Sequence, residues 1–282
     1  PVFRSIRAKK NRQIAFSFYS RSLRQNGETV DRALDEATRI LEENGFTFHY
    51  LFHPRARVEC YPVPEWKVAG MVIPDVIDPA MLRLIEEHRC PYVTLNGVCG
   101  EAGSAVMSDE PANIRMVMEY LYRLGHRRIA YLGSDSSLMF SADRKAGYQL
   151  ALASHQLPVR PEYCAEVKNA SENNEEAIRG LLLQEDRPTA ILVSDDILAV
   201  SLERVCLETH LSIPEDLSII SFNNSLFARL TSPQLTSIDI GAGQLGSEAA
   251  SQIINHIENP NLPATKIIVP HHLIERDSCC KV

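Results

Sequence analysis

The chain has 282 residues, 45% of them hydrophobic and 23% charged, with 29 Lys+Arg against 36 Asp+Glu. That is ordinary globular composition, which excludes a disordered, collagenous or low-complexity chain. A chain this long buries roughly three-quarters of its unfolded surface and needs neither disulfides nor metals to hold a core.

The first strand is expected at 14–18. Thr29 then caps a helix whose apolar face is Val30, Leu34, Ala37 and Leu41, and Asn44-Gly45 ends it. Phe46, Phe48, Tyr50 and Phe52 alternate as a strand does, and 68–73 is a buried strand stopped by Pro74. Asp78-Pro79 opens the next helix, followed by a short strand at 92–95. Asp109 and Pro111 introduce a helix with Ile114, Val117, Met118, Leu121 and Leu124 on one face, closed by Gly125. Strands then follow at 128–133, 163–167, 190–194 and 216–222, separated by helices at 142–154, 174–185 and 196–209. Strand 235–240 leads into a helix bearing Leu245, Ala249, Ile253 and Ile257, with short strands at 266–269 and 272–275. Strands separated by single helices predict an α/β chain of parallel sheets with helices on both faces.

No apolar run approaches the ~20 residues that span a bilayer, and the basic start lacks the apolar stretch of a secretory signal. Seven cysteines at irregular spacings suit a reducing compartment, so a cytoplasmic protein is expected. The charge is uneven. Arg4, Arg7, Lys9, Lys10 and Arg12 stand in the first twelve residues without an acid, leaving 24 basic against 36 acidic residues elsewhere. An acidic body repels nucleic acid, whereas a short basic arm attracts it.

Three motifs invite chemistry. Gly241-Ala242-Gly243-Gln244-Leu245-Gly246 spells GxGxxG after a strand, the pattern that cradles a pyrophosphate. The next strand ends in Pro270-His271 with no carboxylate to hold a ribose, which weighs against a nucleotide-dependent enzyme. His271-His272 suggests a metal, but adjacent strand residues point to opposite faces, so no metal and no cofactor are expected. The third signal is positional. Tyr19, Ser20, Asn96, Ser141, Arg144, Asn169, Asp195, Asp196, Asn223 and Asn224 all fall just past predicted strand ends. In open parallel sheets small ligands bind there, and acids, amides and an Arg suit the hydroxyls of a sugar. Turn and cap preferences alone also collect such residues at strand ends.

Several stretches carry a family resemblance: Tyr122-Arg123-Leu124-Gly125-His126-Arg127-Arg128-Ile129-Ala130, Ser141-Ala142-Asp143-Arg144-Lys145-Ala146-Gly147-Tyr148, and Pro188-Thr189-Ala190-Ile191 running to Asp195-Asp196-Ile197-Leu198-Ala199. Ile213-Pro214-Glu215-Asp216-Leu217-Ser218, Phe222-Asn223-Asn224, Pro233-Gln234-Leu235-Thr236 and Ile274-Glu275-Arg276-Asp277-Ser278 continue it in order. Over nearly its whole length the chain resembles the LacI/GalR family of bacterial transcription regulators.

The resemblance implies a periplasmic-binding-protein-like fold, with two doubly wound parallel-sheet subdomains joined by three crossovers and an effector between them. Carried across, residues 1–13 would be a hinge-helix remnant and linker, 14–109 plus 240–269 the first subdomain, and 110–239 plus 270–282 the second. Arg4-Ser5-Ile6-Arg7 is similar to the family's hinge helix, where Arg4 and Ile6 would meet the DNA minor groove, Ile6 as the wedge. A helix-turn-helix would then precede Pro1 and read operator DNA as part of a homodimer. Arg144, Asn223 and Asp195 rank first as effector contacts, followed by Tyr19, Ser20 and Asn169. Where the family has Gly-Phe/Tyr-Asp this chain has Ser221-Phe222-Asn223, a version similar to maltose-type repressors. The stretch from His53 to Trp66 is short, implying a helix missing from the first subdomain. The rival reading is a sugar-binding transport protein of the same fold, which the cysteines and the basic start oppose.

Overall fold

A computed structural model describes residues 12–19, 27–53, 68–74, 79–97, 99–134, 139–168 and 174–282. The chain divides into two compact units, residues 1–107 with 242–268, and 108–241 with 269–282.

The first unit holds β1 (Gln13–Tyr19), α1 (Gly27–Glu43), β2 (Thr47–His53), β3 (Gly70–Pro74), α2 (Pro79–Glu87), β4 (Tyr92–Leu95) and β5 (Ser104–Ser108). The chain returns to it late. The second unit opens with α3 (Glu110–Arg123), β6 (Ile129–Ser134), α4 (Met139–Ser154), β7 (Cys164–Val167), α5 (Glu175–Leu182), β8 (Ala190–Val193) and α6 (Asp196–Glu208). It continues with β9 (Ser218–Phe222), α7 (Leu226–Leu230) and β10 (Thr236–Asp239), and a short 3-10 turn at Pro161–Tyr163 precedes β7. Then α8 (Ala242–Glu258) and β11 (Lys266–Val269) belong with the first sheet, and β12 (His272–Ile274) with the second.

Strand order is β11-β5-β4-β3-β1-β2 in the first sheet and β12-β10-β9-β8-β6-β7 in the second. The pairs β1–β2, β1–β3, β3–β4 and β4–β5 are parallel, as are β6–β7, β6–β8, β8–β9 and β9–β10. The central strands β3 (GMVIP) and β8 (AILV) are buried at every position, as strands covered by helices on both faces must be. One edge pair differs: β12 runs antiparallel to β10.

Local signals placed most elements within a few residues. Gly45 ends α1 with φ +74, the left-handed conformation that glycine adopts without steric cost, and its N–H reaches the Glu42 carbonyl at 2.9 Å. Asp109 caps α3 by accepting the Ala112 N–H at 3.0 Å. Thr29 is not the cap of α1: the helix begins at Gly27, and Glu28 in its first turn supplies the favourable negative charge. Two elements escape the pattern reading altogether. β5 is five residues with serines at both ends, and α7 is barely more than one turn, too short for helical periodicity. Asp78 and the stretch 54–67, where a cap and a missing helix were expected, lie outside the described residues.

Each unit has its own apolar core. In the first, Ala15, Met71, Ile73, Met81, Ile85 and Tyr92 cluster between sheet and helices. In the second, Leu132, Ile191, Val193, Leu198, Leu202 and Ile219 lie at the centre of a larger cluster. The GxGxxG run is absorbed by packing: a Cβ on Gly246 would stand 1.8 Å from the Ala33 carbonyl oxygen, so α8 lies directly on the backbone of α1. The glycine serves helix contact, not a pyrophosphate.

Candidate functional site

In the second sheet β6 lies between β7 and β8, so the winding reverses there and the carboxyl ends of β6 and β8 part. Such a switch point is where open α/β sheets receive ligands. Ser134, at the end of β6, donates its N–H to Ser194 Oγ at 3.0 Å, and its hydroxyl lies 3.0 Å from that of Ser141 on α4. These contacts hold the first turn of α4 at the switch point and place Arg144 one turn further in.

Arg144 is only 4% exposed. Its Nε donates to Glu110 Oε2 at 2.7 Å, Nη2 to Glu110 Oε1 at 3.1 Å, and Nη1 to the Ser194 carbonyl at 2.6 Å. Its guanidinium carbon lies 4.2 Å from the Phe222 ring centroid. A buried guanidinium demands such a fork-on-fork partner, and the described contacts engage three of its five N–H groups. Burial would push the Glu110 carboxyl up, but the charge and hydrogen bonds of Arg144, with the Ser108 hydroxyl, hold it below the ordinary carboxylate range. Burial likewise opposes the charge on Arg144, and Glu110 more than restores it.

Asp195 caps α6 through one oxygen, accepting the Ile197 N–H at 2.8 Å, while the other accepts from Asn223 Nδ2 at 3.0 Å. Burial, aided by the neighbouring Asp196 charge, pushes its pKa up to about 7. Asn223, just after β9, has φ 101 and Asn224 follows with φ 46, both in the left-handed region that asparagine tolerates better than most residues. An Asn at this position thus suits the backbone and donates to Asp195.

The sequence-predicted residues separate into groups. Arg144, Asp195 and Asn223 come together around the carboxyl ends of β8 and β9. Asp196 belongs to the framework: it accepts from Ser221 Oγ at 2.5 Å, Ser225 N at 2.7 Å and Ser237 Oγ at 2.9 Å. Asn224 binds Asp239 Oδ2 through Nδ2 at 2.9 Å and also supports the loop. Tyr19 closes β1 in the other unit, with only its backbone described, and Ser20, Asn169, Arg4 and Ile6 lie outside the described residues.

Two residues were missed. Glu110 reads in sequence as a helix-start acid, and only the fold sets it against Arg144. His271, set aside in the sequence as an unsuitable metal ligand, is 7% exposed with a buried Nε2 that has no partner among the described residues. Burial holds its pKa below the ordinary value despite the charge of Glu110 nearby. Among the described residues no group of three or more His, Cys, Asp or Glu could hold a metal ion. The assembled groups carry donors and acceptors suited to hydroxyls, and the rings of Phe222 and Phe140 lie beside the Arg144 guanidinium.

A family model described as a periplasmic binding protein-like domain matches residues 118–279. The chain belongs to that family. Curated relatives of this periplasmic binding protein-like chain include proteins named as transcriptional repressors. It is 27% identical over 203 residues to the probable HTH-type transcriptional repressor ExuR of Bacillus subtilis, covering 72% of this chain and 61% of that protein. It is 33% identical over 194 residues to the arabinose metabolism transcriptional repressor of Geobacillus stearothermophilus, covering 67% of this chain and 53% of that protein. It thus spans little more than half the length of these relatives. A solved transcriptional regulator, CelR in complex with cellobiose, has the same fold, with a TM-score of 0.84 and 22% identity over 95% of this chain and 86% of that one. Other solved structures of this fold are regulators of the LacI family. Among the described residues no helix is long and apolar enough to cross a membrane.

Proposed function

We propose that the chain is the effector-sensing and dimerising part of a LacI-type transcription regulator in the cytoplasm, without catalytic activity. The observation that carries the reading is Arg144, a buried guanidinium tied to Glu110 and to the Ser194 carbonyl at a sheet switch point, with Asp195 and Asn223 beside it. A planar cation, a carboxyl and an amide at one strand-end crevice suit a small polyhydroxylated molecule. The relatives add support, one named for arabinose metabolism and one fold neighbour solved with cellobiose. Tyr19, Ser20 and Asn169 remain proposed contacts. Operator binding would come from a helix-turn-helix preceding this region, with Arg4 and Ile6 in the hinge and two copies related by a two-fold axis. The effector acts through its differential affinity for two states of the regulator.

The test is calorimetric titration of this chain with cellobiose, maltose, arabinose, ribose and galacturonate. Saturable binding of one of them supports the reading. Failure of all five while another class of metabolite binds at the same residues would replace the sugar.

A further inference from the structure

The positive charge of Arg144 is matched inside the protein. Glu110 Oε2 accepts from Nε at 2.7 Å, and Oε1 accepts from Nη2 at 3.1 Å and from the Ser108 hydroxyl at 2.5 Å. Each side chain of the pair is 5% exposed, so little water screens one charge from the other. With Nη1 on the Ser194 carbonyl, two of the five N–H groups of Arg144 remain for a ligand. The other charged groups around these strand ends are mostly acidic. Asp195 and Asp196 follow β8, and Asp239 ends β10. Arg276 donates to the Leu235 carbonyl at 2.6 Å and to Asn224 Oδ1 at 2.5 Å, and it already faces the charges of Asp196 and Asp239. Lys145 pairs with Glu166, and burial opposes a positive charge on His271.

We infer that Glu110 restricts this site to neutral polyhydroxylated effectors and makes it refuse sugar acids. The inference rests on the effector reading above and narrows its ligand class. A hydroxyl needs only a donor, which the remaining N–H groups of Arg144 supply. A carboxylate also needs a counter-charge once its water is removed. Glu110 already occupies one two-pronged edge of the guanidinium, the kind of edge on which a carboxylate docks best. An incoming carboxylate therefore meets Glu110 and Asp195 as like charges. One such charge in a poorly screened crevice amounts to at least about tenfold in affinity. Discrimination then comes from what the site repels as much as from what it holds. Glu110 acts through Arg144, as a positioning residue that also sets the charge of the site.

The experiment is calorimetric titration, at pH 7, of the wild type and Glu110→Gln with matched pairs in which one CH₂OH is replaced by a carboxylate. The pairs are glucose with glucuronate, galactose with galacturonate, and cellobiose with cellobiouronate. In whichever pair binds, the neutral sugar should bind the wild type at least about tenfold tighter than its acid. Glu110→Gln should narrow that ratio at least about threefold. An acid that binds the wild type within tenfold of its neutral partner overturns the inference. A ratio that Glu110→Gln leaves unchanged, even where both affinities fall, shows a purely structural role and overturns the assignment to Glu110.

A second arm needs no sugar. Glu110→Ala removes a fragment the size of acetate from beside Arg144. Acetate, compared with chloride at equal ionic strength, should raise the melting temperature of that variant and leave the wild type unmoved. If Glu110→Ala folds in neither salt, Glu110→Gln, which leaves Arg144 equally uncompensated, takes its place in the same comparison. Silence of the wild type toward every sugar would sink the effector reading, and acetate would still decide this inference separately. Acetate that stabilises wild type and variant alike, or neither of them, overturns it.

Discussion

Arg144 and Glu110 form a two-pronged ion pair, 2.7 Å from Nε to Oε2, with each side chain only 5% exposed. Glu110 is the first residue of α3 and Arg144 lies in α4, so the pair clamps two helices over the switch point as well as presenting a cation there.

Removing one partner strands the other. Arg144→Ala should therefore destabilise the second unit by about 3–5 kcal/mol, while the double change Glu110→Gln with Arg144→Met recovers most of that. Urea unfolding at pH 7 measures both. A cost for Arg144→Ala below about 1 kcal/mol would show that the pair is solvated.

Because Arg144 is tied into the fold through Glu110, Asn223 is the cleaner probe of the proposed effector site. Asn223→Gly preserves the φ of 101 and deletes the amide that reaches Asp195. Sugar affinity should fall roughly 10-fold, the scale of one hydrogen bond, and the lost donor to buried Asp195 should cost about 1–3 kcal/mol of stability. Calorimetry with the sugar that binds wild type decides, and unchanged affinity removes Asn223 from the site.

Asp195 makes a signed pH prediction. Its pKa is about 7 in the folded chain against 3.8 ordinarily, so the folded state keeps a proton that the unfolded chain has lost. The associated stability is complete below about pH 4 and disappears as pH rises toward 7. Asp195→Asn is neutral throughout, so its melting temperature relative to wild type should climb between pH 5 and pH 8. A constant difference across that range means Asp195 does not titrate there.

The glycines of 241–246 separate packing from nucleotide binding. Gly246→Ala drives a methyl into the Ala33 carbonyl and should cost at least about 1–3 kcal/mol. Gly243→Ala meets nothing within 4 Å and should add up to about 1 kcal/mol through helix propensity. Chemical denaturation measures both changes, and NAD should leave the wild-type melting temperature unmoved. Equal effects of the two substitutions would contradict the close contact of α8 with α1.

Much of the architecture was legible because it is encoded locally. The three-and-four spacing of Ile114, Val117, Met118 and Leu121 specifies a buried helix face, and the uniformly apolar AILV of β8 specifies a strand covered on both sides. Ordered motifs such as Ser141 to Tyr148 and Ile213 to Phe222 pointed to the family and to Arg144, Asp195 and Asn223. Tertiary structure decided what depends on distant partners. Ser104–Ser108 is a strand because β4 offers it a ladder, not because its residues alternate. Glu110 joins the proposed site only because a helix 34 residues later brings it Arg144. Asp196 is taken up by the framework because serines 25 and 41 residues away donate to it. Periodicity records which face of an element is buried, but the identity of what covers that face is set by chain topology, and charges and close contacts take their roles from that neighbour.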